Sequence, residues 1–264
     1  MRYCALASTA ATACALLASS ARGADISPSQ AQPALQVSDI EYRITPFFWA
    51  AGLNGEIGTR RNLPSVDVDI KFKDILHHLD FAAMLAGEYR NGRWGLLADF
   101  TYVVVSVDGA RNVTPRTPGF TSATLKSGTF NATVTGFYRF YYGSSFTADA
   151  LFGARIWSVS SDVDLLLGGL LPISTGSDRT WVDPVVGIRF HAGLGNGFGL
   201  SAYGDIGAGS SKLSWQLRGT LDYTFNANWS AHIGYRYLAV DYKRGGYVFD
   251  ISMSGPIVGV SYRF

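Results

Sequence analysis

Two histidines lie near carboxylates in the sequence, so they are the first candidates for acid–base chemistry. His191 follows Asp183 within one segment, and His232 lies in the segment after the one that contains Asp222. A histidine next to a carboxylate can act as a general base. A hydrogen bond inside the fold explains both histidines as well, and we favour that simpler interpretation.

A second candidate is a short histidine-containing stretch that could hold a metal ion. On a short helix Asp74, His77 and His78 would lie within one turn, and such a cluster could bind Zn²⁺. The alternative, which we favour, is that the apolar residues between and after them cap the fold while the histidines are solvated. The sequence has no Gly-x-Ser-x-Gly, phosphate loop or His-Glu-x-x-His spacing. We therefore predict no enzymatic activity, no catalytic residues, no bound metal and no cofactor.

Most of the chain alternates between apolar and polar residues. In the segment 213–225 every odd position is apolar or glycine and every even position is polar. Successive side chains of a strand point to opposite faces, so such a segment has one apolar and one polar face. A soluble exported sandwich or lipocalin would also alternate, but its polar face would normally be rich in Lys and Glu. Here Lys is scarce within the strands, which favours a membrane barrel.

The alternating segments predict ten long strands. They cover about 41–57, 79–90, 93–107, 126–142, 146–160, 179–192, 197–210, 212–226, 229–243 and 246–264. A tilted strand needs about 9–11 residues to cross a bilayer. Tight turns at 91–92, 143–145, 193–196 and 226–228 alternate with longer connections at 58–78, 109–125 and 161–178. We predict an all-β, antiparallel, transmembrane up-and-down β-barrel of ten strands, with eight or twelve as alternatives.

Aromatic residues on the apolar face gather beside the tight turns, as they do at a membrane interface. This predicted interface set contains Tyr89, Trp94, Tyr138, Phe140, Phe146, Phe190, Phe198, Tyr223, Phe225 and Trp229. A second band near the opposite strand ends contains Tyr102, Phe130, Trp215, Tyr237 and Phe249. In the last strand the apolar residues occupy odd positions before Gly255-Pro256 and even positions after it. We interpret this change as a β-bulge.

The polar face carries many ionisable side chains, which a barrel would direct into its lumen. They are Arg43, Glu88, Arg90, Asp99, Arg139, Asp149, Arg155, Asp183, Arg189, Asp205, Arg218, Asp222, Arg236, Asp250 and Arg263. Charges in a narrow lumen are expensive unless they are paired, and eight bases face seven acids. We predict cross-strand ion pairs, a largely closed lumen and a structural or surface-interacting role. A small porin is the alternative, and a barrel hydrolase acting on lipid or peptide is a third hypothesis.

The first residues predict export. Met1 and Arg2 precede an apolar, Ala-rich stretch, and small residues allow cleavage between about 21 and 24. We predict a signal peptide at 1–23, a disordered periplasmic segment at 24–40 and the barrel at 41–264. Charged residues make up 16% of the chain against roughly 25% in a typical soluble domain, and the net charge of +2 offers no case for binding nucleic acid.

The chain ends in alternating apolar residues with a terminal aromatic: Val258, Val260, Tyr262 and Phe264. This ending resembles the signal that outer-membrane barrels present to their assembly machinery. From about 41 to 264 the chain resembles small bacterial outer-membrane β-barrels, broadly the OmpA-like group, and an uncharacterised set within it that shares stretches such as 48–55 and 181–187. The resemblance implies an outer-membrane location, contact with lipid and lipopolysaccharide, and a monomer. It implies no particular activity, because the fold hosts anchors, pores, adhesins and enzymes.

Overall fold

The computed structural model describes residues 40–58, 65–74, 79–107, 113–115, 120–167 and 171–264. The predicted signal peptide and most of the predicted N-terminal segment lie outside these residues. The strands are β1 Ile40–Trp49, β2 Gly52–Gly58, β3 Val66–Ile70, β4 Leu79–Asn91, β5 Trp94–Val107, β6 Val113–Pro115, β7 Phe120–Tyr142, β8 Phe146–Leu167, β9 Leu171–Gly195, β10 Phe198–Gly207, β11 Leu213–Thr224, β12 Trp229–Arg244 and β13 Tyr247–Arg263. Within the described ranges no helix has the length and apolar character needed to cross a membrane.

Ten of the strands form a closed antiparallel barrel. They follow one another as β1-β4-β5-β7-β8-β9-β10-β11-β12-β13, and β13 pairs back with β1 through Arg263↔Arg43 and Ile257↔Trp49. The predicted fold class and strand number are therefore confirmed. Closure gives every wall strand a paired neighbour on both sides, as a sheet in lipid requires, although β4 pairs with β1 only from Leu85 to Asn91.

Three strands lie beyond this ring. The chain leaves β1 at Ala50 and Ala51 and continues as β2, which pairs with the first half of β13 and with β3. A short β6 then pairs with β3. The first predicted strand is thus two strands, and the predicted connection at 58–78 contains one more.

Two of the predicted long connections are in fact largely strand. The β8–β9 ladder runs without a shift from Phe146↔Ala192 to Leu167↔Leu171, across the segment 161–178 that the sequence predicted as a loop. The β7 strand likewise begins at Phe120, within the predicted loop at 109–125. The predicted strand ended at about residue 160, whereas β8 continues to Leu167. The prediction expected apolar residues on the outer face, and Asp162 and Asp164 on that face are polar.

The barrel reverses its polarity along its length. On β8 the outward-facing Phe152 is exposed and apolar, while the inward-facing Arg155 is buried. Further along the strand the outward-facing residue is the polar Ser158, while the inward-facing Trp157 is buried and apolar. The end near the tight turns is therefore apolar outside and polar inside, as in a membrane. The opposite end has the reverse arrangement, as in a soluble protein. The switch between Ile156 and Ser158 marks the limit of the apolar exterior on this strand.

This reversal replaces the predicted bulge in the last strand. The β12–β13 register runs without a shift from Trp229↔Tyr262 to Arg244↔Tyr247. Phe249 and Ile257 both face the interior, while Val258 faces outward. The apolar phase changes at Gly255-Pro256 because the interior becomes apolar, so the bulge prediction is wrong. Phe249, only 1% exposed, likewise belongs to the core and not to the outer aromatic band.

Candidate functional site: the barrel interior

Four charged side chains meet at the rim beside the tight turns. Glu41 accepts hydrogen bonds from Arg90 and, at 2.8 Å, from Arg43, and Arg263 lies 3.7 Å from it. The register explains this meeting, since Glu41 is the direct partner of Arg90 on β4, and Arg43 is the partner of Arg263 on β13. The rim charges are thus grouped around one carboxylate.

Deeper in the lumen, two arginines share two carboxylates. Arg189 donates to both carboxylate oxygens of Glu88, at 2.8 and 3.1 Å, and also to Asp149 at 2.7 Å. Arg139 donates to the same Asp149 at 2.7 Å. Charge-assisted bonds of this kind are the strong ones. The Arg189 guanidinium also lies over the buried ring of Phe137, 4.7 Å from its centroid. This network crosses the lumen from β4 to β8 and β9.

A second network lies further from the tight turns. Asp99 accepts from Arg236 at 3.0 Å and from Arg218 at 3.3 Å. Arg236 also donates to the side-chain oxygen of Gln216 at 2.6 Å, and its guanidinium lies 4.7 Å from the ring of Trp49. Like charges at cross-strand positions 218 and 236 are therefore separated by a carboxylate on the opposite wall.

The third network is the most deeply buried. One terminal nitrogen of Arg155 lies 2.7 Å from each carboxylate oxygen of Asp205, and both side chains have 0% exposure. The other guanidinium nitrogens donate to Thr133 and Ser214, and the Tyr203 hydroxyl donates to Asp205 at 2.6 Å. A buried ion pair can persist only when its remaining donors and acceptors are bonded in this way.

An apolar core fills the interior beyond these networks. Trp181 stacks on Tyr242 at 4.1 Å and on Trp157 at 5.9 Å between ring centroids, and Phe249 contacts both tryptophans edge-on. The core also contains the buried side chains of β3: Val66, Val68 and Ile70. The β2–β3 hairpin therefore inserts its apolar residues among the inward-facing aromatics of the wall.

Two of the predicted lumen residues have other environments. Asp183 is buried but forms no ion pair with a described residue; its Oδ1 accepts from the backbone N–H of Ser211 at 2.7 Å. Asp250 is 42% exposed and lies on the outer face, where Lys243 donates to it at 2.7 Å. That hydrogen bond raises the pKa of the Lys243 ammonium. The lumen assignment of Asp250 is wrong because it assumed a bulge that β13 does not have.

The two candidate histidines lie on the polar inner face near the tight turns. His191 Nδ1 is 3.0 Å from the hydroxyl of Ser201, which donates its proton to Asp222; Thr220 donates to the same carboxylate. A nucleophilic serine must give its proton to the imidazole, whereas here the carboxylate accepts it. The geometry is that of a hydrogen-bonded cluster. His232 is the direct cross-strand partner of Asp222.

The structure describes only one of the three residues of the predicted metal cluster. His77 and His78 lie outside the described residues, whereas Asp74 belongs to a helical turn at 72–74. Within the part of the chain that the structure describes, no group of three or more His, Cys, Asp or Glu side chains could hold a metal ion.

The aromatic residues beside the tight turns form contacting pairs along the outside. These pairs are Tyr42–Tyr89, Trp94–Tyr138, Phe146–Phe190, Phe198–Tyr223, Tyr223–Phe225, Trp229–Tyr262 and Tyr262–Phe264. Phe140 is also exposed at this level. Val258 and Val260 of the final strand also face outward, further along the strand from the tight turns than these aromatic pairs.

Sequence reasoning missed some of the interior residues. Glu41 shares the alternation phase of Arg43, so its position was readable, although it begins the strand. Tyr203 was not singled out in the sequence, although it lies two residues from Asp205 on the same strand and therefore shares its inward face. The inward-facing positions of Trp157 and Trp181 were not predicted, because the sequence analysis did not consider an interior that becomes apolar partway along the barrel.

The comparisons with known proteins concern architecture. No family model and no curated protein matches the sequence. Among solved structures, the chain is similar to Ail, the attachment invasion locus protein of Yersinia pestis, with 12% identity over 86% of this chain and 99% of that one and a TM-score of 0.35. It is also similar to the KdgM porin, with 11% identity over 85% and 99% and a TM-score of 0.34. The transport unit of the autotransporter AIDA-I from Escherichia coli shows 9% identity over 89% and 93% and a TM-score of 0.41.

These similarities are of fold alone. The closed antiparallel wall, its apolar exterior beside the tight turns and its charged interior at the same level stand on this chain's own residues. The structure is a closed antiparallel β-barrel of ten wall strands.

Proposed function

We propose that this barrel does not conduct solutes and serves the bacterial envelope as a structural or surface-interacting protein. The observation that carries the proposal is the filling of the interior in two successive layers. Arg155, Arg236 and Asp205 lie in a charged layer with little or no exposure. Trp157, Leu238 and Val68 lie in an apolar layer beyond it, each with at most 1% exposure.

The two layers oppose different solutes. Paired charges leave no one-sided field to attract an ion, and moving an ion past them would require breaking bonds that are worth several kcal/mol once desolvated. The apolar layer offers a hydrated solute no hydrogen-bond partner, and stripping its water is costly. A barrel of about ten strands has little space once its side chains are packed.

The long strands support a role at the surface. The β8–β9 ladder from Phe146 to Leu167 is about 70 Å long at roughly 3.3 Å per residue. At a tilt of about 40° it rises roughly 53 Å, whereas the apolar band of such a barrel is about 25 Å tall. The projecting part carries the exposed polar side chains Ser160, Asp162 and Asp164. We assign it to the outside, with the tight turns in the periplasm, and we expect a monomer whose last strand is read by the assembly machinery.

A liposome-swelling assay tests the closed lumen. Dextran-loaded liposomes containing the refolded protein should swell in isosmotic arabinose or glycine no faster than protein-free liposomes, while a general porin supplies the positive control. Insertion is verified by heat-modifiable gel mobility. Swelling that falls with increasing solute size would establish a pore and overturn the proposal.

Epitope insertion tests the orientation. An epitope placed between Gly245 and Gly246, in the β12–β13 hairpin, should be detected on intact cells. The same epitope at Ala227, in the β11–β12 turn, should be detected only after permeabilisation. The opposite pattern would reverse the assignment of the two ends, and detection of neither in a barrel with normal heat-modifiability would exclude a surface-exposed hairpin.

A further inference from the structure

Three arginines at the barrel mouth beside the tight turns share one carboxylate. Glu41 accepts hydrogen bonds from Arg43, at 2.8 Å, and from Arg90, while a terminal nitrogen of Arg263 lies 3.7 Å from it. Arg43 and Arg263 are also direct cross-strand partners, on β1 and β13. Like charges that lie directly opposite each other in a sheet are destabilising. One carboxylate neutralises only one of the three positive charges in this group.

The adjoining ionic network does not supply the missing negative charge. Glu88 approaches Arg43 to 3.8 Å, but both of its carboxylate oxygens accept hydrogen bonds from Arg189. Within that network Arg139 and Arg189 balance Glu88 and Asp149. The two groups together contain five bases and three acids, so an excess of two positive charges remains at this end of the lumen.

Asp222 on β11 also faces the interior near the tight turns, but its carboxylate is bonded elsewhere. It accepts hydrogen bonds from the hydroxyls of Ser201 and Thr220, and His191 Nδ1 lies 3.6 Å from it. Among the described residues it forms no ion pair with an arginine. The excess positive charge around Glu41 is therefore not neutralised by Asp222.

The arginines at this mouth are accessible, and most of their donors are unused. The exposed fractions of the Arg43, Arg90 and Arg263 side chains are 39%, 19% and 44%. A guanidinium carries five N–H donors. The three groups together make only four hydrogen bonds to described residues, two to Glu41 and two to the Ala227 carbonyl. Their exposed surface can therefore offer further N–H donors to an anion that enters the mouth.

From this arrangement we propose that the mouth binds a phosphate-type oxyanion between the guanidinium groups of Arg43 and Arg263. Guanidinium groups bind phosphate through paired, charge-assisted hydrogen bonds, which are the strong ones. A phosphate monoester carries about −1.5 to −2 charge at pH 7 and three acceptor oxygens, which matches the excess of two positive charges. A carboxylate has one negative charge and two oxygens, so it binds this mouth more weakly.

The site lies on the tight-turn side of the two layers that fill the lumen. Binding there does not require the anion to pass through the barrel, so the proposal does not depend on whether the lumen conducts. Free phosphate and the phosphate of a phospholipid head group share the required chemistry. The experiments below distinguish these two sources.

Phosphorus NMR of inorganic phosphate tests the site, with the full-length mature barrel in non-ionic micelles and sodium chloride holding the ionic strength constant. The phosphate resonance should change with phosphate concentration until one site per barrel is saturated. Sodium acetate at the phosphate concentration should displace little of the bound phosphate. A response that does not saturate, or displacement by acetate as complete as by an equal amount of phosphate, would overturn the proposal.

Two substitutions of the same kind identify the binding residues. Arg43→Gln should weaken phosphate binding about tenfold, because it removes charge-assisted hydrogen bonds, and adding Arg263→Gln should weaken it further. Arg244→Gln is the control and should leave binding unchanged, since Arg244 is exposed in the β12–β13 hairpin at the opposite end. Heat-modifiable mobility verifies that each variant is folded. Equal phosphate affinity in the Arg43→Gln variant and the original chain would show that the anion does not bind here.

Glu41→Gln tests the charge argument in the opposite direction. It keeps the shape of the side chain but removes the carboxylate that the three arginines share, so phosphate binding should become about threefold tighter. A damaged barrel would bind less phosphate, so a gain in affinity separates the charge effect from misfolding. Weaker binding in this variant would contradict the charge argument.

A short-chain phosphatidylglycerol, added at the phosphate concentration, identifies the source of the phosphate. Its phosphate is a diester with one negative charge, so we expect it to displace no more inorganic phosphate than acetate does, which supports a free phosphate or phosphate monoester as the ligand. Displacement at lower lipid concentrations that is lost in Arg43→Gln would support the same site with a lipid head group as its ligand.

Discussion

Arg155 on β8 and Asp205 on β10 meet inside the barrel with no exposed side-chain surface, 2.7 Å apart. Their strands are separated in the wall by β9, so the pair bridges one intervening strand rather than following one ladder. Asp183, the direct cross-strand partner of Arg155, bonds to the Ser211 backbone instead. The interior is thus organised in part by contacts between strands that are not neighbours, which the ladder registers alone do not specify.

The first prediction concerns this pair. Arg155→Met should lower the free energy of unfolding by about 3–5 kcal/mol, because it leaves the Asp205 carboxylate buried without its counter-charge. Adding Asp205→Leu should recover much of the loss. Urea unfolding in micelles, followed by Trp fluorescence, measures both effects.

The matched control for this pair is Arg263→Met. The Arg263 side chain is 44% exposed at the rim and donates to the Ala227 carbonyl, so its loss should cost less than about 1 kcal/mol. If Arg155→Met costs no more than Arg263→Met, the buried pair does not stabilise the barrel as described.

The second prediction follows from the position of Phe249 in the core. Phe249→Ala should lower the unfolding free energy by about 3–5 kcal/mol, since it opens a cavity among packed rings. Phe81→Ala removes an equally large side chain from the exterior, where lipid fills the space, and should cost distinctly less. Similar losses of unfolding free energy in the two variants would indicate that Phe249 lies in the outer aromatic band and not in the core.

The third prediction concerns the close approach of the β1–β2 junction to β13. A Cβ on Gly255 would lie 1.9 Å from the backbone oxygen of Ala50, so Gly255→Ala must push the junction away. We expect a loss of about 1–3 kcal/mol. Gly219→Ala, where a Cβ would meet nothing within 4 Å, is the control and should change little. A tolerated Gly255→Ala would show that the junction is not held there.

The fourth prediction tests the reversal of polarity directly. The chain has two cysteines, both in the predicted signal peptide, so single labels can be introduced in the mature protein. A nitroxide at Phe152→Cys should be accessible to oxygen, which concentrates in lipid. A nitroxide at Ser160→Cys, on the same outer face of β8, should be accessible to a water-soluble nickel complex. Equal lipid exposure at both sites would place the membrane boundary beyond the proposed position.

Much of the fold was predictable from strict alternation. A period of two places side chains on opposite faces without knowledge of the partner strand, and this was enough for the closed ten-stranded barrel. Alternation does not say which face is inside, and that choice relied on residue type. The prediction therefore failed where an apolar residue faces inward or a charged residue faces outward, as at Phe249 and Asp250. The inserted β2–β3 hairpin was equally unreadable, because its apolar residues alternate as those of the wall do.

The sequence predicted which charged residues face the interior, but it did not predict which of them pair with each other. Parity indicated which arginines and carboxylates share a face, but partners such as Arg189 and Glu88 lie 101 positions apart, on strands that are not neighbours. Their pairing depends on the curvature of the closed wall and on the length of each side chain. Those quantities follow from the three-dimensional barrel and not from the spacing of residues.

The most direct test of the closed lumen is single-channel conductance of the mature protein, from Ala24, in a planar bilayer. We expect a silent bilayer, both for the original chain and for Arg218→Ala, whose side chain lies in the charged layer below the intact apolar core. Heat-modifiable mobility and proteoliposome flotation confirm that both are folded and inserted. Reproducible conductance steps with a defined ion preference, altered by Arg218→Ala, would contradict the account and identify a channel.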